Sequence, residues 1–208
     1  MEHFNYLVKN LKEGEDYLVI CRVIEGADLA VIAPHGGGIE PGTTEISRSI
    51  ARDKYHYYSF LGKKYSGNEK LHLKSTLFDD PGALELLKKA ETCLALHGCN
   101  EEESFVFTGG KNNKLLQKIN GLLLDYNFKV IEAPSYLAAK SPHNICNLCR
   151  RGRGVQMELS YGLRKKMFEN VDKRYGREKV TPVFYKFVET VNKAVDSYCE
   201  SIKFKNGE

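Results

Sequence analysis

The sequence predicts an α/β fold, a single domain in which a central, mostly parallel or mixed sheet is flanked by helices. Short apolar runs alternate with helical patterns along the chain, which is the signature of strands and helices taking turns. At 208 residues the chain can bury one substantial core but not two full domains, so residues 1–208 are read as one unit. No internal repeat, low-complexity tract or linker divides it.

The elements follow in order. Tyr17 to Ile24 reads as a strand and Leu29 to Ala33 as a short buried strand, each bounded by turn residues. Thr43 and Thr44 are placed to cap a helix over about Glu45 to Asp53, which begins just after a glycine-rich loop. Tyr55 to Leu61 alternates aromatic residues as a strand does, and Asp80-Pro81 opens a helix to about Lys89 with proline in its first turn. Thr92 to Leu96 is a buried strand and Ser104 to Thr108 another. A helix from about Lys114 to Tyr126 carries Leu115, Ile119, Leu122 and Leu123 on one face, and Phe128 to Ile131 is a strand. Ala133 to Arg153, rich in Pro, Ser, Asn, Cys and Arg, is expected to be a long surface excursion. Val155 to Leu159 returns to strand character, and helices over Leu163 to about Arg174 and Pro182 to about Lys203 close the chain.

Composition narrows the function classes. Hydrophobic residues at 42% and charged residues at 28% are ordinary for globular proteins, which argues against disordered and fibrous classes. Apolar stretches such as Leu29 to Ala33 fall far short of the ~20 residues that span a bilayer. Charged residues scattered through the first turns leave no room for a signal-peptide apolar segment, so the expectation is a cytoplasmic protein, released only by lysis. The six cysteines are spread too widely for a disulfide scaffold, and reduced thiols are expected. Cys146-Asn147-Leu148-Cys149 has zinc-knuckle spacing but lacks the second pair that four thiolate ligands need. The net charge of +4 is modest; its one local concentration is Arg150-Arg151-Gly152-Arg153, with Arg164 following.

The chemistry concentrates at strand ends. His35-Gly36-Gly37-Gly38-Ile39-Glu40 follows directly on a buried strand, where open α/β sheets bind ligands. Three glycines let the backbone turn His35 and Glu40 toward one point; the competing use of such a loop, anion binding, lacks the Lys-Ser/Thr that would follow. A second strand ends in Leu96-His97-Gly98. His35, Glu40 and His97 together supply the two imidazoles and one carboxylate of a catalytic zinc site, with Cys99 a poorer candidate because thiolate favours closed structural sites. Manganese or cobalt would suit the same donors. In Val155-Gln156-Met157-Glu158-Leu159 an acid interrupts an apolar strand. Burial makes an unpaired carboxylate costly, so Glu158 needs a partner or a task, and moving a proton beside a metal is such a task.

These segments resemble the phage and Bacillus poly-γ-glutamate hydrolase family, which carries His-Gly-Gly-Gly-Ile-Glu, a downstream His-Gly, and a Gly-Val-Gln-hydrophobic-Glu-Leu/Ile-Ser strand. Here they are His35 to Glu40, His97-Gly98 and Gly154 to Ser160, and Pro41-Gly42-Thr43 and Asn144 to Asn147 also look like family segments. The resemblance implies a zinc-carboxypeptidase-like α/β fold holding one zinc, with His35, Glu40 and His97 as ligands and Glu158 as catalytic acid/base. It also implies a substrate bearing a free α-carboxylate on every unit. Arg150, Arg151 and Arg153 are accordingly expected to hold substrate carboxylates near the metal, with Asn144 and Asn147 adding neutral hydrogen bonds.

The expected activity is zinc-assisted hydrolysis of γ-glutamyl amide bonds by a monomer whose partner is an anionic polymer or peptide. A zinc carboxypeptidase or N-acyl amino acid deacylase would use the same site on a smaller amide. A nucleic-acid-binding phage-related accessory protein would account for the arginine run but leaves the His-Gly-Gly-Gly-Ile-Glu segment without a purpose.

Overall fold

Alternating apolar positions supply the strands, and pairing between distant segments sets their order in space. In the computed structural model, which describes residues 3–206, seven strands form one sheet: β1 (Tyr17–Arg22), β2 (Leu29–Gly37), β3 (His56–Gly62), β4 (Thr92–Cys99), β5 (Val106–Gly110), β6 (Val130–Glu132) and β7 (Val155–Ser160). Their order across the sheet is β1-β3-β2-β4-β7-β5-β6. The four central strands β3, β2, β4 and β7 run parallel. Antiparallel pairs join β1 to β3 and β5 to β7, and β6 lies parallel to β5 at the edge. The mixed sheet matches the sequence-based expectation.

The helices are α1 (His3–Val8), α2 (Thr43–Ala51), α3 (Pro81–Leu87), α4 (Asn113–Asp125), α5 (Tyr161–Met167), α6 (Arg174–Arg177) and α7 (Pro182–Asn206). Strand periodicity sends successive side chains to opposite faces. Leu94 and Leu96 of β4, with Val155, Met157 and Leu159 of β7, join a core completed by Ile46 and Ile50 of α2, Leu115 and Ile119 of α4, and Phe187, Val191 and Val195 of α7. Cys93 and Ala95 face the other core, with Phe4 of α1, Phe78, Leu86 and Leu87 of α3, Ile145, Cys146 and Cys149.

Four details depart from the sequence reading. Thr43 and Thr44 lie within α2 rather than before it, and Gly42 caps the helix at φ 97 with no side-chain hydrogen bond. Their hydroxyls serve the preceding loop: Thr43 Oγ1 donates to the Glu40 carbonyl at 2.8 Å, and Thr44 Oγ1 accepts the Gly37 N–H at 3.0 Å. The helix expected over 163–174 stops at Met167, because Phe168 turns extended (φ −128, ψ 152) and bridges Val180. The α1 helix was not foreseen. The segment 133–153 is no surface excursion: Ala139, Asn144, Ile145, Cys146, Asn147 and Cys149 are buried, and the segment roofs the second face of the sheet. Asn147 folds it, donating to the carbonyls of Ala139 (2.8 Å) and Ser141 (2.9 Å) while accepting the Gly154 N–H (2.9 Å). No helix among the described residues is long and apolar enough to cross a membrane, and the cysteines are free thiols.

Candidate active site

After β2 the chain crosses to β3, and after β4 it leaves toward β5 on the other side, so the carboxyl ends of β2 and β4 flank a topological switch point. Crevices of that kind are where open α/β sheets place ligands. β2 extends past its apolar run because Gly36 and Gly37 pair with Leu61 and Gly62 after a register shift between Ala33 and Gly36. The shift sits at Pro34-His35 and places the His35 ring 6.2 Å from that of Phe78, on the second face. Gly36 has no room for a side chain, since a Cβ there would lie 2.1 Å from Thr44 Oγ1; Gly37 adopts φ +64, where other residues are strained.

His35, Glu40 and His97 converge. His35 Nδ1 lies 2.9 Å from Glu40 Oε1 and 3.1 Å from His97 Nδ1, and His97 Nδ1 lies 3.5 Å from Glu40 Oε2. All three side chains are buried. The backbone N–H of Gly98 holds Glu40 Oε2 at 2.9 Å. The other ring nitrogen of His35, Nε2, faces the Leu73 carbonyl at 2.7 Å, an arrangement that needs a hydrogen on Nε2. A ring that carries no second proton then turns a lone pair from Nδ1 toward Glu40 and His97. Basic atoms so arranged need a proton or a cation between them, and a carbonyl-anchored imidazole is how proteins orient a metal ligand. Nitrogen ligands on a tetrahedral zinc are about 3.3 Å apart, close to the observed 3.1 Å. The donor set fits such an ion.

A third imidazole joins them from the connection between β3 and α3. His72 Nε2 lies 3.3 Å from Glu40 Oε1, and its ring stacks on His35 with centroids 3.9 Å apart. Ligand atoms of His35, Glu40 and His72 lie within 4.8 Å of one another. His72 is the exposed member, at the mouth of the cluster, whereas His97 is buried on the strand next to β2. Burial raises the Glu40 carboxyl pKa, but in the metal-free site, where a proton takes the place of a cation, the His35 charge and hydrogen bonds from all three imidazoles outweigh that and hold it well below the usual range.

Glu158 stands opposite His97 in the β4–β7 register. It is buried, and burial pushes its pKa up to about 7; the Glu40 charge adds to the rise, while His97 and a hydrogen bond from Gln156 oppose it. Gln156 Nε2 donates to Glu158 Oε1 at 2.8 Å, and Asn144 Nδ2 donates to Gln156 Oε1 at 3.0 Å. A relay of amides thus fixes the carboxyl. Cys99 does not join the cluster; its Sγ points to the Glu158 carbonyl.

Of the residues expected to bind substrate, the asparagines are engaged internally and the arginines lie elsewhere. Asn144 and Asn147 are buried and spent on internal hydrogen bonds. Arg150 and Arg151 pair with Glu91 at 3.0 and 2.7 Å, just before β4 begins. Arg153 adjoins the start of β7 and lines a cavity with Lys111, Lys114 and Arg151. His97 and Glu158 belong to the carboxyl ends of those same strands, several residues away at about 3.3 Å each. The arginines therefore sit at the opposite end of the sheet, because a loop that precedes a strand meets its amino end and not its carboxyl end.

Sequence reasoning missed His72, the Leu73 carbonyl and Gln156. Gln156 carried a faint signal, a second polar residue on the Glu158 face of the strand; His72, in a polar connection, carried none.

Clustered imidazoles and buried carboxyls at the carboxyl ends of a mixed sheet are side chains suited to hydrolysis, on a carboxypeptidase-like α/β fold. Solved structures share that architecture at low sequence identity: a metallo-carboxypeptidase from Burkholderia cenocepacia aligns at a TM-score of 0.51 with 10% identity, over 94% of this chain and 68% of that one. Residues 1–190 match the family described as poly-gamma-glutamate hydrolase, and the chain belongs to that family. The protein YndL of Bacillus subtilis (strain 168) is 34% identical over 188 residues, covering 88% of this chain and 73% of YndL. A structure of a bacteriophage poly-gamma-glutamate hydrolase aligns with a TM-score of 0.88 at 30% identity, over 92% of this chain and 94% of that one. A zinc-free apo structure of YndL aligns at 0.86 with 32% identity, over 91% and 94% of the two chains.

Proposed function

We propose that this protein hydrolyses γ-glutamyl amide bonds in an anionic poly-γ-glutamate polymer, with one zinc ion held by His35, Glu40 and His97 and with Glu158 as general acid/base. The observation that carries the reading is the meeting of His35 Nδ1, His97 Nδ1 and Glu40 within 3.5 Å, with His35 anchored through its other nitrogen. Family membership and the zinc-free form of YndL support it.

A zinc ion bound there supplies Lewis acidity toward the scissile carbonyl and makes water a nucleophile near neutral pH. The protein's own groups do the rest. Gln156 holds Glu158 Oε1, which leaves Oε2 to take a proton from the attacking water and return it to the leaving nitrogen. Burial, which lifts the Glu158 pKa to about 7 in the metal-free protein, favours its taking up that proton. Gly98 keeps Glu40 turned inward, and the Leu73 carbonyl keeps His35 in one tautomer.

Glu158→Gln should retain zinc by elemental analysis while kcat on the polymer falls by about 10²- to 10⁴-fold, the usual worth of a general acid/base. Turnover close to wild type in that variant would remove Glu158 from the mechanism. His35→Ala and His97→Ala should lose the metal, and unchanged zinc content would discard the ligand set. Comparing polymer breakdown with cleavage of short N-acyl amino acids decides the substrate.

A further inference from the structure

Arg164 is a cation in an unusual place. It is 2% exposed, yet among the described residues no carboxylate pairs with it. Its guanidinium donates to three backbone carbonyls: Nε to Leu159 at 3.1 Å, Nη1 to Pro41 at 2.7 Å and Nη2 to Cys99 at 2.8 Å. These acceptors come from three separate segments, and each lies within two residues of a proposed site residue. Pro41 follows Glu40, Cys99 follows His97-Gly98, and Leu159 follows Glu158.

The guanidinium also lies against Gly98, where a Cβ would come 2.8 Å from Arg164 Cζ. The N–H of that glycine holds Glu40 Oε2. An apolar side chain would fill this space without the cost of burying a charge. The guanidinium reaches the three carbonyls from three separate nitrogens spread over a plane, a wider span than the three hydrogens of a single ammonium nitrogen cover. The charge also lies near Glu40, whose field counters the downward pull of burial on the guanidinium pKa.

From this geometry we infer that Arg164 is a positioning residue that sets the mutual placement of Glu40, His97 and Glu158 by tying together the backbone beside each of them. The inference rests on the metal-site reading above. Arg164→Lys keeps the charge but cannot span the three carbonyls; Gly98→Ala keeps the guanidinium and displaces it. Zinc affinity, measured by competition with a chromophoric chelator, should fall by about 10- to 100-fold in both, as when groups that orient metal ligands are lost. On polymer at saturating zinc, kcat should fall while KM changes little.

Circular dichroism and thermal melts of the zinc-free proteins report folding separately. Where Arg164→Lys does not fold, Gly98→Ala decides. Wild-type zinc affinity and kcat in a folded variant overturn the inference, even where the melting temperature has dropped, because Arg164 would then serve only stability. A wild-type protein that binds no zinc instead removes the metal reading itself.

Discussion

Glu158, the acid/base we propose, carries a cost in stability that is legible at the scale of one residue. Its raised pKa means that the folded, metal-free protein binds a proton more tightly than the unfolded chain does. The group therefore costs nothing at pH values below its unfolded pKa, about 4.3, and the cost grows as pH rises toward 7 and is constant above. Glu158→Gln should accordingly make zinc-free protein more stable by roughly 3 kcal/mol at pH 8, with the gain vanishing near pH 4. Urea melts of chelator-treated protein at several pH values check this; equal gains at pH 5 and pH 8 would contradict the burial argument. The site residues read from sequence are those whose neighbours exposed them: a histidine ending an apolar run, an acid inside one. In the sequence Arg164 merely follows the arginine run, because nothing local tells a buried guanidinium from an exposed one when its acceptors are backbone carbonyls 5, 65 and 123 residues away.

At the scale of elements, the strand and helix periods located most of the fold, and the errors lie where tertiary contacts override local preference. The apolar run 29–33 understated β2, whose last two residues, Gly36 and Gly37, belong to the strand only because β3 is there to pair with them. Thr43 and Thr44 have the chemistry of helix caps, yet the glycine-rich loop uses their hydroxyls. The long helix α7 docks partly through Asp196, which accepts hydrogen bonds from Arg52 (2.6 Å), Lys54 (2.8 Å) and Tyr55 (2.5 Å). Burial raises the Asp196 pKa, but these three donors outweigh it and leave it below the usual carboxylate value. A depressed pKa contributes stability above the unfolded value, about 3.9, and loses it as pH falls through the lower folded value. Asp196→Asn should destabilise by about 1 kcal/mol at pH 7, since the group is partly exposed, with a difference that shrinks toward pH 3. A difference unchanged between those pH values would mean that Asp196 contributes no ionic tether.

At the scale of the molecule, alternation of strands and helices was enough to foresee one α/β unit, but not the strand order. That order decides which loops meet. The arginine run and the proposed site border the same strand, β7, yet occupy opposite ends of the sheet, a separation that spacing along the chain cannot reveal. If His35, Glu40 and His97 bind a cation only when assembled, zinc at about 100 times its dissociation constant should stabilise the protein by roughly 2.7 kcal/mol, and chelation should reverse the gain. Differential scanning calorimetry of wild type and His97→Ala, with and without zinc, tests this; an equal rise in both would point to binding elsewhere.

Parallel pairing of β2, β4 and β7 has a temporal corollary. The segments that carry His35, His97 and Glu158 are separated by long stretches of chain and become neighbours only when distant strands dock, a step that entropy makes slow. During synthesis both histidines emerge well before Glu158, so a nascent chain halted short of β7 would be chemically inert, and hydrolytic competence would arise late, with completion of the sheet.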